Sequence, residues 1–77
     1  MAADIQRFKT SLGQRIREIR ERRGLTQMEL GALIGKDFQA ISRMEKGRVN
    51  PSAYQVYLLA EALGAPVAAF FDITPDT

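Results

Sequence analysis

Residues 27–45 read QMELGALIGKDFQAISRME and contain two short amphipathic segments separated by a sharp break. Gly35 lies at the break, where a residue that tolerates positive φ permits a tight turn. Gly31 is small where two crossing helices would touch, and Asp37 can cap the helix that follows it. The apolar residues at helical spacing are Leu30, Ile34, Ile41 and Met44. The stretch therefore predicts two short helices that cross over a tight turn.

The rest of the chain is divided by turn-forming residues into segments of helical length. Thr26 and Glu29 form a capping box that can start the second helix. No segment alternates between apolar and polar residues at period two, so no strand is predicted. The sequence predicts one all-α domain over residues 1–77, a five-helix architecture with a helix-turn-helix at helices two and three. The predicted helices span about 5–23, 27–34, 38–46, 52–63 and 67–71.

Two of these helices carry long apolar stripes that predict the core. In the first helix the stripe is formed by Ile5, Phe8, Leu12, Ile16 and Ile19. In the fourth helix it is formed by Ala53, Val56, Leu59, Ala60 and Leu63. A core of this size leaves a thin stability margin, so we expect a partner subunit to supply further stability.

Charge is divided unevenly along the 77 residues. Residues 1–48 contain all 11 basic residues against six acidic ones, a net charge of +5. Residues 49–77 contain three acidic residues and no basic one, a net charge of −3. A basic part joined to an acidic, apolar part favours a polyanion-binding half and a packing half, although ordinary solvated charge accounts for the same imbalance.

The composition argues against an enzyme. The chain contains no cysteine and no histidine, which removes thiolate zinc sites and the commonest general base. Its carboxylates are scattered singly and it has no glycine-rich phosphate motif, so we expect no catalytic site and no cofactor. No apolar run approaches the roughly 20 residues of a membrane span, so we expect no membrane contact and a cytoplasmic, nucleoid-associated protein.

The stretch from Thr26 to Gly47 resembles the Cro/C1-type (XRE) helix-turn-helix family, the phage-repressor-like group of five-helix DNA-binding domains. The resemblance covers about residues 12–71. Its most specific residues, in register, are Leu25-Thr26-Gln27, Leu30, Gly35, Ile41-Ser42-Arg43 and Glu45-Lys46-Gly47. The resemblance implies a transcription regulator that binds double-stranded DNA as a homodimer and reads the major groove with its third helix. Restriction–modification controller proteins of this family have the same small format.

The chain departs from the family pattern at several positions. Lys36 replaces an apolar residue in the turn, and Gly31 stands where alanine is commoner. Ala32 and Leu33 are apolar where the family is usually charged. Phe38 occupies a position that is often glutamine or another polar residue, which changes the expected pattern of base contacts.

The third helix contains the candidate base contacts. Because Ile41 and Met44 must face the core, the helix presents Phe38, Gln39, Ser42, Arg43 and Lys46 outward. The resemblance implies base contacts at the positions of Phe38, Gln39 and Arg43, and we expect a further contact from Ser42 on the same face. A glutamine amide matches adenine, an arginine fork matches guanine, and an aromatic ring can pack on a thymine methyl group. The alternatives are that Phe38 packs under the second helix and that Arg43 is a solvated surface arginine.

Phosphate contacts are expected around this helix. Gln27 lies at the N-terminus of the second helix, where the family commonly holds a DNA phosphate and where backbone amides favour an anion. The basic candidates are Arg15, Lys36, Lys46 and Arg48. Relatives often pair an arginine late in the first helix with a glutamate near the end of the third, and Arg20 and Glu45 fill these positions. Such a pair would brace the third helix.

The segment 65–71 reads APVAAFF and is almost wholly apolar. Since family members commonly dimerise through their fifth helix, the resemblance implies a dimer interface at Val67, Phe70 and Phe71. Closure of the monomer core accounts for part of the same apolar surface. A two-fold dimer would place two reading helices about 34 Å apart and would predict a palindromic operator.

Two alternative functions are compatible with the same fold. An antitoxin-type protein would combine this DNA-binding domain with binding of a partner toxin, through Ala32 and Leu33 or through the tail. A protein–protein adaptor would have lost DNA binding, against which the basic half argues. A regulator of this size would either repress by occluding a promoter or activate by contacting polymerase.

Overall fold

The computed structural model describes residues 4–73, in which five α-helices and no strand occur. The helices are α1 (Ile5–Arg22), α2 (Gln27–Leu33), α3 (Phe38–Glu45), α4 (Ala53–Leu63) and α5 (Val67–Phe70). The all-α, five-helix fold is therefore confirmed. Each helix end lies within one residue of the expected position, because the expected terminal residues act as caps. None of these helices is long and apolar enough to cross a membrane.

Local side-chain caps determine where the helices of the helix-turn-helix begin. The Thr26 hydroxyl accepts from the Glu29 amide while the Glu29 carboxylate accepts from the Thr26 amide, as the sequence predicts. Asp37 caps α3 by accepting a hydrogen bond of 2.8 Å from the amide of Ala40. A second capping box, which is not among the predicted caps, starts α4 at Ser52. Each cap contributes roughly 0.5–2 kcal/mol.

The core is formed by residues from all five helices. Its buried apolar residues are Leu12, Ile16, Ile19, Leu30, Ile41, Met44, Val56, Leu59, Ala60, Leu63 and Phe70. Ile5 and Ala53, which open the two predicted stripes, are exposed instead. Each lies in the first turn of its helix, where the stripe has not yet reached the neighbouring helices.

At Gly31, α2 lies at backbone distance from the turn that leads into α3. A β-carbon on Gly31 would lie 2.6 Å from the carbonyl oxygen of Lys36, which no real side chain tolerates. Gly35 has a φ of +71°, the left-handed conformation that favours glycine. The two glycines therefore let the turn of the helix-turn-helix lie directly on α2.

α1 and α3 are also in backbone contact, at a glycine that the sequence does not single out. A β-carbon on Gly13 would lie 2.6 Å from the carbonyl oxygen of Glu45. The C-terminal end of α3 thus rests directly on α1. Gly13 makes this approach possible, so α1 sets the position of the outward face of α3.

α5 folds back onto α1 and α4, which corrects one expectation for the interface. Phe70 is 0% exposed and closes the core of the single chain. It has no surface with which to meet a partner, so the interface prediction is wrong for this residue. Val67 and Phe71 are 41% and 46% exposed and keep apolar surface available.

Candidate nucleic-acid interface

The outward face of α3 is the central feature of the candidate site. Ile41 and Met44 are buried, and this anchoring turns the opposite side of the helix to solvent. Phe38 is 48% exposed, Gln39 and Arg43 are exposed as well, and Ser42 is half-buried. The orientation is the one the sequence predicts. The contact of these residues with bases stays a prediction.

A buried ion pair braces α3 against α1. Arg20 Nε donates to Glu45 Oε2 at 2.6 Å, and Arg20 Nη2 donates to Glu45 Oε1 at 3.0 Å. Arg20 Nη1 also donates to the carbonyl oxygen of Leu25 at 2.7 Å, just before α2. The hydrogen bonds and the negative charge of Glu45 raise the pKa of Arg20 above its ordinary value, although burial opposes them. The pairing implied by the resemblance is confirmed.

Gln27 adds α2 to this network. Its Nε2 atom donates to Glu45 Oε1 at 3.0 Å, so a single carboxylate joins residues from three helices. Gln27 is the first residue of α2, where the leading backbone amides have no partner within the helix. The structure thus holds the start of α2 against the end of α3. A phosphate contact at Gln27 stays a prediction.

Basic side chains surround the exposed face of α3. Lys36, Lys46 and Arg48 are all exposed. A groove between α3 and the start of α4 is lined by Lys36, Ala40, Arg43, Met44, Val49 and Gln55. The groove measures about 180 Å³, below the roughly 300–1,000 Å³ of small-molecule pockets. Lys36 and Arg43 contribute two basic groups to its lining.

Arg15 lies apart from these groups, beside α5. Its Nε donates to the carbonyl oxygen of Ala69 at 3.0 Å, and its Nη1 meets Glu18 at 3.4 Å. Arg23 makes a related contact, from Nη2 to the carbonyl oxygen of Gly64 at 3.0 Å. Arg15 thus joins α1 to α5, and Arg23 joins the end of α1 to the end of α4. No sequence pattern marks such contacts, because every residue carries a carbonyl group. A phosphate contact at Arg15 stays a prediction.

Metal-binding potential is low in the part of the chain that the structure describes. Residues 4–73 contain no group of three or more Asp, Glu, His or Cys side chains that could hold an ion. The exposed polar groups of the site include amide, guanidinium and ammonium donors, which suit phosphate oxygens and base edges.

Comparison with known proteins identifies the family to which the arrangement of α2 and α3 belongs. The helix-turn-helix family model HTH_3 matches residues 16–70, which include the braced network and the exposed face of α3. The chain belongs to the Cro/C1-type (XRE) helix-turn-helix family. Members of this family are DNA-binding transcription regulators.

Two relatives of this family illustrate the similarity in sequence. An uncharacterised HTH-type transcriptional regulator of Sinorhizobium fredii is 36% identical over 66 residues, which cover 86% of each chain. An uncharacterised transcriptional regulator from the ATPase CF(0) region of Rhodospirillum rubrum is 39% identical over 67 residues. That match covers 87% of this chain and 62% of the relative. The chain therefore spans less than two-thirds of the second relative.

Solved structures of the helix-turn-helix family share the fold. The restriction–modification controller protein C.AhdI of Aeromonas hydrophila superposes with a TM-score of 0.85 at 33% identity. The match covers 90% of this chain and 100% of that protein. The clp gene regulator ClgR of Corynebacterium glutamicum superposes with a TM-score of 0.79 at 27% identity, over 91% of this chain and 87% of that protein.

Proposed function

We propose that this protein is a sequence-specific transcription regulator that binds a palindromic DNA operator as a homodimer and reads the major groove with α3. The observation that carries the proposal is the outward face of α3, held by the buried network of Arg20, Gln27 and Glu45. A recognition helix must present a few side chains at a fixed angle to reach base edges. The network and the backbone contact at Gly13 supply that fixed angle.

The chemistry of the exposed side chains supports base reading. Arg43 can donate two parallel hydrogen bonds to guanine, and Gln39 can pair with adenine through its amide. Each good bidentate pair provides roughly 1–3 kcal/mol of discrimination against the wrong base. Phe38 can pack on a thymine methyl group, and the Ser42 hydroxyl can donate or accept.

Backbone contacts would come from the groups that surround α3. Lys36, Lys46 and Arg48 are exposed cations on the flanking turn and loop. Gln27 lies at the start of α2, where amide groups and the helix dipole favour a phosphate. These contacts would orient the protein on the duplex and make binding depend steeply on salt.

The homodimer part of the proposal rests on the exposed apolar surface of α5. Val67 and Phe71 are partly exposed, and Phe71 stacks on Phe8 of α1 with ring centroids 6.4 Å apart. A two-fold axis near this surface would bring two copies of α3 to successive major grooves, roughly 34 Å apart. The operator would then repeat one half-site in inverted order. A regulator of this kind acts in the cytoplasm, at the nucleoid.

The proposal is tested by selecting bound sites from a random duplex library at about 150 mM salt, a concentration at which non-specific binding is weakened. The selection is run with the wild-type protein and with Arg43→Ala. The matched control is Arg17→Ala, which removes an exposed α1 arginine that pairs with Glu21. We expect an inverted-repeat motif with wild type and with the control, and loss of discrimination at one position of each half-site with Arg43→Ala.

Two outcomes would contradict the proposal. An identical motif with Arg43→Ala would remove the base-contact role from this residue. No enriched motif with wild type would remove the sequence-specific function, and the search would turn to a protein partner such as a toxin.

A further inference from the structure

We infer that Gln6 is a positioning residue for DNA binding, which orients the loop after α3 so that Arg48 faces the DNA backbone. The inference rests on the proposed function and adds to it a residue in the first turn of α1, outside the helix-turn-helix. Gln6 neither contacts the exposed face of α3 nor carries charge. Its effect would pass through the Gly47–Arg48 peptide.

The link between α1 and the loop is a long-range hydrogen bond. Gln6 Nε2 donates to the carbonyl oxygen of Gly47 at 3.1 Å, across 41 positions of the chain. The same amide lies 3.3 Å from Thr10 Oγ1, one turn further along α1, which holds the Gln6 side chain in place. The contact with Thr10 therefore orients the Gln6 amide towards the Gly47 carbonyl.

The peptide that accepts this bond is held on its other side by α3. The amide of Arg48 donates to the carbonyl oxygen of Arg43 at 3.0 Å, and the amide of Gly47 donates to that of Met44 at 3.1 Å. Gly47 has a φ of +72°, as in the usual glycine-terminated helix end. The Gly47–Arg48 peptide thus bonds α3 through its N–H and α1 through its C=O. Rotation of this peptide would break one bond or the other.

Steric contact reinforces the hydrogen bond. A β-carbon on Gly47 would lie 2.8 Å from the Cα of Thr10, so the loop backbone lies directly on α1. Gly47 is buried by this contact, whereas the next residue, Arg48, is exposed. The direction in which Arg48 leaves the surface is therefore set by a peptide that two helices hold.

Arg48 is one of the residues expected to contact a DNA phosphate. Such a contact requires its side chain to point towards the DNA backbone. An arginine side chain that leaves a fixed peptide loses less conformational freedom on binding than one that leaves a mobile loop. Without the Gln6 amide, the Gly47 carbonyl loses its protein partner and the peptide has one restraint instead of two. The contribution of Arg48 to DNA affinity should fall accordingly, although its charge is unchanged.

The test is a double-mutant cycle between Gln6 and Arg48. Wild type, Gln6→Ala, Arg48→Ala and the double variant are titrated against a mixed-sequence duplex of about 30 base pairs, between about 50 and 200 mM salt. The matched control is Gln14→Ala, which truncates an exposed glutamine of the same helix. A second variant, Gln6→Met, keeps the side-chain length and donates no hydrogen bond. Urea unfolding confirms that each variant is folded under the assay conditions.

We expect Gln6→Ala and Gln6→Met to raise the Kd for the duplex about threefold to tenfold, because each variant loses the hydrogen bond to the Gly47 carbonyl. The slope of log K against log salt should decrease in magnitude by up to about one, as for a lost phosphate contact. Gln14→Ala should bind as wild type does. In the Arg48→Ala background, Gln6→Ala should have no further effect, because the residue through which it acts is gone.

A purely structural role for Gln6 gives a different result. Gln6→Ala would then lower the urea midpoint while binding stays as in wild type, or it would weaken binding equally with and without Arg48. Either result would overturn the inference. Failure of the wild-type protein to bind any duplex would instead remove the proposed function itself, so the two failures are distinguishable.

Discussion

Arg20 and Glu45 meet side by side in a buried bidentate pair, with hydrogen bonds of 2.6 and 3.0 Å, at the point where α1, α2 and α3 converge. Both residues are 8% exposed. Removing two charges from water is costly, and the mutual attraction of such a pair often only offsets that cost. The structural value of the pair lies in its directionality, since a planar fork and a planar carboxylate allow one relative orientation.

The first prediction follows from this pair. Arg20→Met should destabilise the fold by roughly 3 kcal/mol, because it leaves the Glu45 carboxylate buried without its cation. The double variant Arg20→Met/Glu45→Met should be less destabilised than the single one, since no unpaired charge remains. The free energies of unfolding are measured by urea titration with far-UV circular dichroism.

An exposed ion pair serves as the matched control for the buried one. Arg17→Met breaks the exposed pair of Arg17 with Glu21 and should cost less than about 1 kcal/mol. The single variant Glu45→Met completes the cycle. If the loss of unfolding free energy in the double variant equalled the sum of the losses in Arg20→Met and Glu45→Met, the two residues would not act as a coupled pair.

The second prediction concerns the backbone contact between α1 and α3. Gly13→Ala should destabilise the protein by roughly 1–3 kcal/mol, because its methyl group would lie 2.6 Å from the Glu45 carbonyl oxygen. Helix propensity alone predicts the opposite sign, a gain of about 1 kcal/mol from replacing glycine in a helix. Thermal and urea unfolding decide between the two, and a stabilised Gly13→Ala variant would show that the helices can separate without cost.

Gly24→Ala serves as its comparison. Gly24 has a φ of +71° and open space around the position of a β-carbon. Its replacement should cost only the backbone strain of a left-handed alanine, roughly 1–2 kcal/mol. The two variants thus separate steric overlap from conformational strain.

The third prediction tests the dimer surface proposed on α5. Phe71→Asp should yield monomers at micromolar concentration, because a carboxylate on this surface would be desolvated on association. Sedimentation velocity measures the state of association, and circular dichroism checks that the loss of the Phe8–Phe71 stacking leaves the fold intact. Leu33→Asp, at an exposed apolar position of α2, should leave the dimer unchanged. A dimer that survives Phe71→Asp would move the interface elsewhere.

The fourth prediction concerns the ionisation of Tyr57. A side-chain hydrogen bond to Glu61, together with the charge of that carboxylate, raises the pKa of Tyr57 above its ordinary value of about 10. The raised pKa favours the protonated phenol in the folded state. Its stabilising effect is therefore complete below the pKa of the unfolded chain and is lost as the pH rises through the folded pKa.

Ultraviolet titration of Tyr54→Phe isolates this group, because the chain contains only two tyrosines. The midpoint should lie above that of a free tyrosine, and Glu61→Ala should return it towards the ordinary value. An unchanged midpoint in Glu61→Ala would show that the carboxylate does not act on Tyr57.

The helices of this protein could be predicted from the sequence because their signals are local. The Thr26–Glu29 capping box, the Asp37 cap and the turn at Gly35 each depend on residues within four positions of one another. The orientation of α3 was also predictable, since buried Ile41 and Met44 leave only one face outward. The Arg20–Glu45 pair was predicted from the family resemblance, because helical spacing alone does not indicate that residues 25 positions apart are in contact.

Only the tertiary structure decided which distant groups meet. It placed Phe70 inside the core and left Phe71 at the surface, although both lie in one apolar run. It brought Arg15 to the Ala69 carbonyl and Gln6 to the Gly47 carbonyl, contacts that no sequence motif marks. The physical reason is that periodicity and capping act along the chain and determine each helix. The packing of one helix on another depends on shapes and backbone carbonyls that become neighbours only once the chain has folded.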